Sequence, residues 1–277
     1  MNTPPMAPSI RQSSQATQPE TTMESSSQKS ANDVPMVELR TLQAAWSEKS
    51  IAERIGVLKR CRHLIAKNAD QLTQAIQLPQ RRDRAESLAA EVFPMADAIK
   101  FLERHAANLL RPQKTSRRDR PAWGPGLQVT NFREPFGVVL VIGTWNYPLF
   151  LTGTQMIQGI VAGNAMVIKP GVHGGPVMKV LIDLLQDAGM PRGLVHLASE
   201  DTIAAQNAIQ AGADKVFFTG SAQTGKRVLE QLSQHGTPSV MELSGSDAVF
   251  VLPGADLERV VRCLAFGMQI NSGATCI

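Results

Sequence analysis

The sequence predicts an α/β protein in which a doubly wound, Rossmann-like parallel sheet follows an N-terminal helical region. Two observations support this prediction. Between about residues 37 and 110, apolar residues recur at helical spacing, whereas beyond about residue 127 short apolar runs alternate with helical stretches. Apolar strands joined by helical crossovers are typical of parallel sheets covered on both faces. Ligands of such sheets bind beyond the carboxyl ends of the strands.

Two amphipathic stripes define the helical region. Ser50 and Glu53 have the spacing of a capping box, and the first stripe follows them. Its members are Ile51, Ile55, Leu58, Cys61 and Ile65. The second stripe is Leu88, Val92, Met95, Ile99, Leu102 and Ala106. Pro94 lies within it and predicts a kink, and the basic, Pro- and Gly-bearing stretch 111–126 predicts a loop.

Short apolar runs predict the strands of the sheet. They are 137–142, 165–168, 193–198, 215–218, 239–243 and 248–252. Helices are predicted between most of them, near 150–162, 176–188, 201–211 and 222–234. We therefore divide the chain into a disordered tail rich in Ser, Thr, Pro and Gln, a helical region with its basic loop, and a Rossmann-like domain. Their bounds are 1–35, 36–126 and 127–277.

Composition limits the function classes. The chain is 43% hydrophobic and 19% charged, which is typical of a soluble globular protein. It has no apolar run long enough for a membrane span and begins without a secretion signal, so we expect a cytoplasmic protein. The cysteines Cys61, Cys263 and Cys276 are too few and too scattered to predict disulfides or a metal site. Cys61 and Cys263 each lie in an amphipathic helix, which predicts a packing role.

Two basic clusters accompany the net charge of +4. The first is Arg81, Arg82 and Arg84, and the second is Arg111, Lys114, Arg117, Arg118 and Arg120. Neither cluster is interleaved with the aromatic side chains on which nucleic-acid bases stack. We therefore predict solvated faces or loops for both clusters and no nucleic-acid partner.

The run from Phe217 to Gly225 leads from a predicted strand into a predicted helix. Gly220 allows a tight turn, and Ser221 offers a hydroxyl and an amide where a helix N-terminus favours a pyrophosphate. No G-x-G-x-x-G fingerprint follows any of the predicted strands, so a generic strand-to-helix turn is the alternative interpretation.

Further polar motifs follow or end regular elements. They are Trp145-Asn146-Tyr147-Pro148, Gly163-Asn164 with Lys169-Pro170, Met241-Glu242-Leu243-Ser244-Gly245, and Asn271-Ser272-Gly273-Ala274-Thr275-Cys276. Each has a simpler interpretation when taken alone. Asn146 fits a turn, Lys169 a surface lysine, Glu242 a carboxylate at a sheet edge, and Cys276 a small buried apolar residue.

Together and in this order, the motifs resemble those of the aldehyde dehydrogenases, over roughly residues 37–277. The resemblance includes Glu134-Pro135-Phe136-Gly137, Phe218-Thr219-Gly220-Ser221 with Gly225, and Gly273 with Cys276. The branch that oxidises fatty and aromatic aldehydes is the most similar. The resemblance implies an NAD(P)-dependent oxidoreductase that converts an aldehyde to a carboxylic acid, with NAD or NADP as cofactor and a small-molecule aldehyde as substrate.

The resemblance also implies residue roles. Cys276 is the nucleophile that forms a thiohemiacetal and then a thioester. The Asn146 amide and the backbone N–H of Cys276 hold the oxyanion, and Glu242 is the general base for hydrolysis. The cofactor-binding residues are Trp145, Lys169, Gly220, Ser221, Gly225 and Leu243.

Several positions depart from the family pattern. Val172 stands where an acidic residue usually binds the adenosine ribose, which predicts that NADP is accepted at least as well as NAD, unless His173 or a neighbouring residue restores the contact. Ser244, Ser246 and Ala274 also differ from the family, but none of them replaces a catalytic group.

The family's sequences continue beyond the point that corresponds to Ile277, with a catalytic domain and an oligomerisation strand. We therefore expect the 277 residues alone to be inactive and poorly soluble, and the complete protein to be a homo-oligomer. The alternative function is that of a truncated, non-catalytic NAD(P)-binding fragment or remnant.

Overall fold

The computed structural model describes residues 33–275 apart from residues 82 and 125, and it leaves the side chain of Arg117 undescribed. All but residues 33–35 of the predicted disordered tail lie outside the described residues. Cys276, the predicted nucleophile, also lies outside them, whereas Ala274 and Thr275 are described.

Helices form the N-terminal region, as predicted. They are α1 (Met36–Ser47), α2 (Ile51–Lys67), α3 (Ala69–Ala75), α4 (Arg84–Ser87) and α5 (Phe93–Leu110). The capping box at the start of α2 is confirmed, because the Glu53 N–H donates to Ser50 Oγ at 3.2 Å and the Ser50 N–H donates to Glu53 Oε2 at 2.8 Å. A π-helical turn (Leu88–Val92) separates α4 from α5 and leaves Pro94 in the first turn of α5, where a proline needs no N–H partner.

The basic stretch after α5 contains a little more structure than a loop. Strand β1 (Gln113–Lys114) pairs antiparallel with β2 (Thr130–Asn131). A short 3-10 helix, Arg117–Asp119, lies between them.

A five-stranded parallel sheet follows. Its strands are β3 (Val138–Ile142), β4 (Ala165–Lys169), β5 (Val195–Leu197), β6 (Lys215–Gly220) and β7 (Ser239–Leu243), in the spatial order β5-β4-β3-β6-β7. The intervening helices are α6 (Phe150–Val161), α7 (Gly175–Asp187), α8 (Thr202–Gln210) and α9 (Ala222–Ser233). The predicted fold class is therefore confirmed. The strand order reverses between β3 and β6, which makes this the topological switch point of the sheet.

The N-terminal helices and the sheet share one hydrophobic core among the described residues. Helix α1 packs on β3 and β4, and α2 packs on α5, α6 and α7. Trp46 is buried and its indole N–H donates to the carbonyl of Ile160 in α6 at 2.8 Å. Both predicted stripes face this core, and Cys61 lies in it as expected, with burial raising the pKa of its thiol to about 12. The proposed division of the chain at residues 36 and 127 stays a prediction.

Beyond β7 the sequence predictions were wrong in two places. Residues 248–252 form no strand, and their apolar side chains are exposed, with Phe250 85% accessible. Cys263 lies in helix α10 (Leu257–Gln269), which precedes a 3-10 turn (Ile270–Gly273), but it is exposed instead of packed. In both cases the described part of the chain puts no second apolar surface against these residues.

No helix among the described residues combines the length and the apolar character that crossing a bilayer requires.

Candidate active site

A cleft lies at the switch point, where the loops after β3, β6 and β7 meet at the carboxyl edge of the sheet. Its volume is about 470 Å³. Its lining consists of Thr144, Trp145, Asn146, Leu151, Gln155, Thr219, Gly220, Ser221, Glu242, Leu243 and Ser244. The fold thus brings together six of the sequence-predicted site residues, which come from three separate segments of the chain. Parallel sheets bind their ligands at this edge.

Asn146 is buried and its amide has a defined orientation. The Thr144 hydroxyl donates to Asn146 Oδ1 at 2.6 Å, so the amide oxygen faces Thr144. The amide nitrogen, Asn146 Nδ2, donates in turn to the carbonyl oxygen of Ala274 at 2.9 Å. An amide donor therefore faces the segment that leads directly to Cys276. Thr144 was not among the sequence-predicted site residues, and its place two positions before Asn146 in the same loop was the available signal.

The segment 271–275 turns sharply and is anchored to its surroundings. Asn271, Ser272 and Gly273 all have positive φ angles, of 49°, 51° and 77°. Such a succession is rare for residues other than glycine and needs support from neighbouring groups. Asn271 provides part of it, because its Nδ2 donates to the carbonyl oxygens of Asn146 at 2.9 Å and of Ala274 at 3.1 Å.

The N-terminal region and the β3 loop hold the same segment from the other side. The Asn271 backbone N–H donates to Glu86 Oε1 at 2.6 Å, and the Ser272 hydroxyl donates to the carbonyl of Gln80 at 3.1 Å. The Tyr147 hydroxyl lies 2.7 Å from Thr275 Oγ1. The residue before Cys276 is therefore tied to the loop that carries Asn146.

A buried ion pair forms hydrogen bonds with the backbone of the loop that carries Asn146. Arg81 and Glu91 lie 2.9 Å apart, with side chains only 4% and 0% accessible. Glu91 Oε2 also accepts the N–H groups of Leu149 and Phe150, at 2.8 and 3.1 Å, at the start of α6. Burial raises the pKa of Glu91, and the two N–H groups and the Arg81 charge oppose that shift.

Arg81 links this ion pair to the cleft. Its guanidinium donates to the carbonyl of Asn146 at 3.3 Å and lies 4.7 Å from the centre of the Tyr147 ring. The prediction of a solvated face for this arginine was therefore wrong, because a carboxylate ten residues further along the chain compensates its charge inside the protein. Arg84, from the same cluster, is exposed and pairs with Asp70, as a solvated position allows.

Glu242 lies at the end of β7, opposite Thr219 of β6 in the parallel register. Its side chain is exposed at the mouth of the cleft. Leu243 follows it and packs over Gly225 in the first turn of α9, where a Cβ atom would collide with the leucine side chain. The two predicted cofactor-binding residues Leu243 and Gly225 are thus in contact with each other.

Ser221 is the N-cap of α9. Its hydroxyl accepts the N–H of Thr224 at 3.2 Å, while Ser244 Oγ accepts the N–H of Ala222 at 3.2 Å. The helix N-terminus that the sequence singled out is therefore present at the cleft, lined by two serine hydroxyls. Ser244, a departure from the family pattern, takes part in forming it.

Lys169 lies at the end of β4, outside the lining of the cleft. Burial lowers its pKa, and the carboxylates of Glu200 and Asp201 partly oppose that shift. Gly171 connects this lysine to the cleft, because a Cβ atom there would overlap the backbone of Thr144 and Trp145. Only glycine therefore allows the two loops to pack this closely.

Metal binding finds no structural support within the described residues. They contain no group of three or more His, Cys, Asp or Glu side chains with the arrangement of a metal site.

Comparison with known proteins identifies the family. Residues 10–277 match the family model described as "Aldehyde dehydrogenase family". The chain belongs to the aldehyde dehydrogenase family. It is 34% identical over 232 residues to 4,4'-diapolycopene aldehyde oxidase of a Methylomonas species. The aligned segment covers 84% of this chain and 43% of that protein.

Solved aldehyde dehydrogenases have the same fold. The enzyme from Brucella melitensis biovar abortus is 25% identical, with a TM-score of 0.77 over 86% of this chain and 48% of that chain. The Mycobacterium tuberculosis aldehyde dehydrogenase complexed with NAD+ is 23% identical, with a TM-score of 0.75 over 84% of this chain and 47% of its own, a likeness of fold alone. This aldehyde dehydrogenase chain spans about half the length of the relatives it matches.

Proposed function

We propose that this chain carries the cofactor-binding and nucleophile-bearing part of an NAD(P)-dependent aldehyde dehydrogenase, which oxidises an aldehyde to a carboxylic acid. The main support is the hydrogen bond from Asn146 Nδ2 to the carbonyl of Ala274, two residues before Cys276. Acyl-transfer chemistry on a thiol requires an oriented amide donor, and the segment that this amide contacts leads in sequence to Cys276. Glu242, a carboxylate at the mouth of the same cleft, adds the group needed for hydrolysis.

In this proposal the Cys276 thiolate attacks the aldehyde carbon, and the carbonyl π-electrons move to the oxygen. The resulting thiohemiacetal oxyanion accepts hydrogen bonds from Asn146 Nδ2 and from the backbone N–H of Cys276. Thr144 keeps the amide nitrogen directed towards that oxygen, since its hydroxyl donates to the amide oxygen. Removing one such donor from an oxyanion site costs about 10²-fold to 10³-fold in rate.

The described residues fit a dinucleotide at the switch-point cleft. Trp145, Gly220 and Leu243 line it, Ser221 offers a hydroxyl and a helix N-terminus, and Gly225 leaves room for Leu243 to pack. Lys169 adds a cation on the next strand. A nicotinamide cofactor, when bound, supplies the hydride acceptor that turns a thiohemiacetal into a thioester.

Glu242 then acts as general base. It takes a proton from a water molecule whose oxygen attacks the thioester carbonyl carbon, and the Cys276 thiolate leaves as the carboxylic acid forms. Its exposure at the mouth of the cleft gives it access to water.

The substrate that we propose is an apolar aldehyde. A second pocket, of about 240 Å³, lies beside Thr275 and shares Leu151 with the cleft. Ala90, Tyr147, Phe150, Leu151, Ile270 and Thr275 line it. It is mostly apolar, and the described residues that line it include no charged side chain to bind an acidic group. The Methylomonas relative, which is named for diapolycopene aldehyde, is consistent with such a substrate.

Nucleotide binding without oxidation is the second candidate function. The exposure of Leu243 in the cleft favours it, because catalysis through a cofactor requires a site from which bulk water is excluded.

One experiment separates the two candidates. The chain is fused to the C-terminal half of a relative, and hydride transfer is followed by stopped-flow absorbance with hexanal and with succinic semialdehyde. We expect a burst followed by turnover, with the higher kcat/KM for hexanal. Cys276→Ala should abolish both phases and leave cofactor affinity unchanged. Glu242→Gln should keep the burst and slow the turnover.

A specific outcome would contradict each of these expectations. Turnover near the parent rate in Cys276→Ala would exclude the thiol mechanism. Cofactor binding without a burst in the fusion would support the nucleotide-binding alternative. Equal or reversed preference between the two aldehydes would exclude the apolar substrate class.

A further inference from the structure

The side chain of Glu200 contacts the loop that leads into α7. It comes from the segment after β5, yet its Oε2 accepts the backbone N–H of His173 at 2.9 Å and its Oε1 accepts that of Gly175 at 2.8 Å. The backbone of His173 has a positive φ of 63°, which turns its N–H towards this carboxylate. The carboxylate is therefore fixed on the loop that begins at Lys169.

The same carboxylate acts electrostatically on the lysine. Lys169 is half-buried at the end of β4, and Glu200 contributes the largest favourable charge interaction with its ammonium group. Val172 lies between Lys169 and His173 on this loop, is exposed and carries no charge. An ammonium group and a carboxylate thus face the strand end from two neighbouring strands of the sheet.

Glu200 keeps acceptor capacity for a ligand. An ionised carboxylate offers about four lone-pair positions, and one N–H group occupies each oxygen of Glu200. A carboxylate placed at an adenosine ribose accepts the 2′-hydroxyl of NAD and repels the 2′-phosphate of NADP. A carboxylate fixed on this loop therefore favours a ribose diol over a phosphorylated ribose.

We propose that Glu200 is the residue that selects NAD over NADP in this chain, through the carboxylate that it places on the Lys169 loop. The inference rests on the proposed function, since it requires the adenosine ribose to lie near Lys169. It reverses the expectation drawn from Val172 alone, because the carboxylate missing at that position is supplied from the next strand.

Binding to the full 277-residue chain tests the proposal without any need for turnover. NAD and NADP are titrated separately by isothermal titration calorimetry. The parent chain should bind NAD about tenfold more tightly than NADP, and Glu200→Gln should bring the two affinities within about twofold, mainly by strengthening NADP binding. Asp187→Asn is the control: it removes one carboxylate charge from an exposed side chain at the far end of α7 and should leave the ratio unchanged.

A double variant distinguishes a change in cofactor selectivity from a loss of folding. Val172→Glu, added to Glu200→Gln, returns one carboxylate to the same loop at an exposed position and should restore the preference for NAD. An unchanged ratio in Glu200→Gln, a parent preference for NADP, or a failure of Val172→Glu to restore selectivity would each overturn the proposal. Tight binding of both cofactors with no discrimination would overturn this inference alone, whereas binding of neither would overturn the proposed function with it.

Discussion

The two edges of the parallel sheet have very different surroundings. On the β5-β4-β3 side every residue of β3 and nearly every residue of β4 is buried, and α1, α6 and α8 pack against these two strands. On the β7 side the strand ends exposed, and within the described part of the chain α10 contributes no buried residue. Apolar side chains of α10 and of residues 249–251 border an open groove of about 550 Å³.

This difference divides the candidate site. Asn146 and Lys169 belong to the covered side, where hydrogen bonds orient the Asn146 amide and Lys169 is half-buried. Glu242 belongs to the uncovered side, where no such contacts restrain its side chain within the described residues. An apolar surface of this size on a folded chain marks a region of interaction. Asn146 is thus oriented by contacts within this part of the fold, whereas Glu242 is not.

Breaking the buried ion pair should have the largest effect on the covered side. Glu91→Ala leaves Arg81 uncompensated and the first N–H groups of α6 without their acceptor, so we expect the free energy of unfolding to fall by about 3–5 kcal/mol. Urea denaturation followed by circular dichroism measures it. The control is Glu258→Ala, which breaks the exposed pair with Arg262 in α10 and should leave the midpoint unchanged. Equal losses from both variants would contradict the contrast between the two edges.

A matched pair of leucines tests packing alone. Leu181 in α7 is fully buried, and Leu257 in α10 is 68% accessible. Leu181→Ala should lower the free energy of unfolding by about 2–5 kcal/mol. Leu257→Ala should change it by less than about 0.5 kcal/mol, and it should reduce self-association in analytical ultracentrifugation, because it removes exposed apolar surface from α10. A large destabilisation by Leu257→Ala would mean that α10 is packed in solution.

The smallest expected effect is a dependence on pH at the covered edge. Burial lowers the pKa of His196 in β5 below its usual 6.5, and Asp33 partly opposes that shift. The unfolded chain therefore binds the proton more tightly than the folded one, so stability is present above pH 6.5 and is lost as the pH falls below it. Thermal melting across that range measures the loss. His196→Asn should flatten the dependence, while His235→Asn, in an exposed turn, should retain it.

Local patterns in the sequence determined most of the elements. The capping box at Ser50 and Glu53, the two buried stripes and the alternation of apolar runs with helices all appear in the structure as predicted. These features depend on contacts between residues a few positions apart or on periodic burial, and a single sequence records both. The meeting of Asn146, Glu242 and Ser221 at one edge also followed from the sequence, because parallel strands bring their carboxyl ends together.

Only the tertiary structure decided which amphipathic surfaces have a partner. The patterns at 248–252 and at Cys263 report apolar character, but burial requires a second surface, and none of the described residues supplies one. Conversely, Arg81 is buried because Glu91 and the Tyr147 ring lie against it. Glu200 reaches the Lys169 loop because β4 and β5 are neighbours in the sheet. Compensation of a charge is a property of positions in space, and residues that are distant in sequence become neighbours only when the chain has folded.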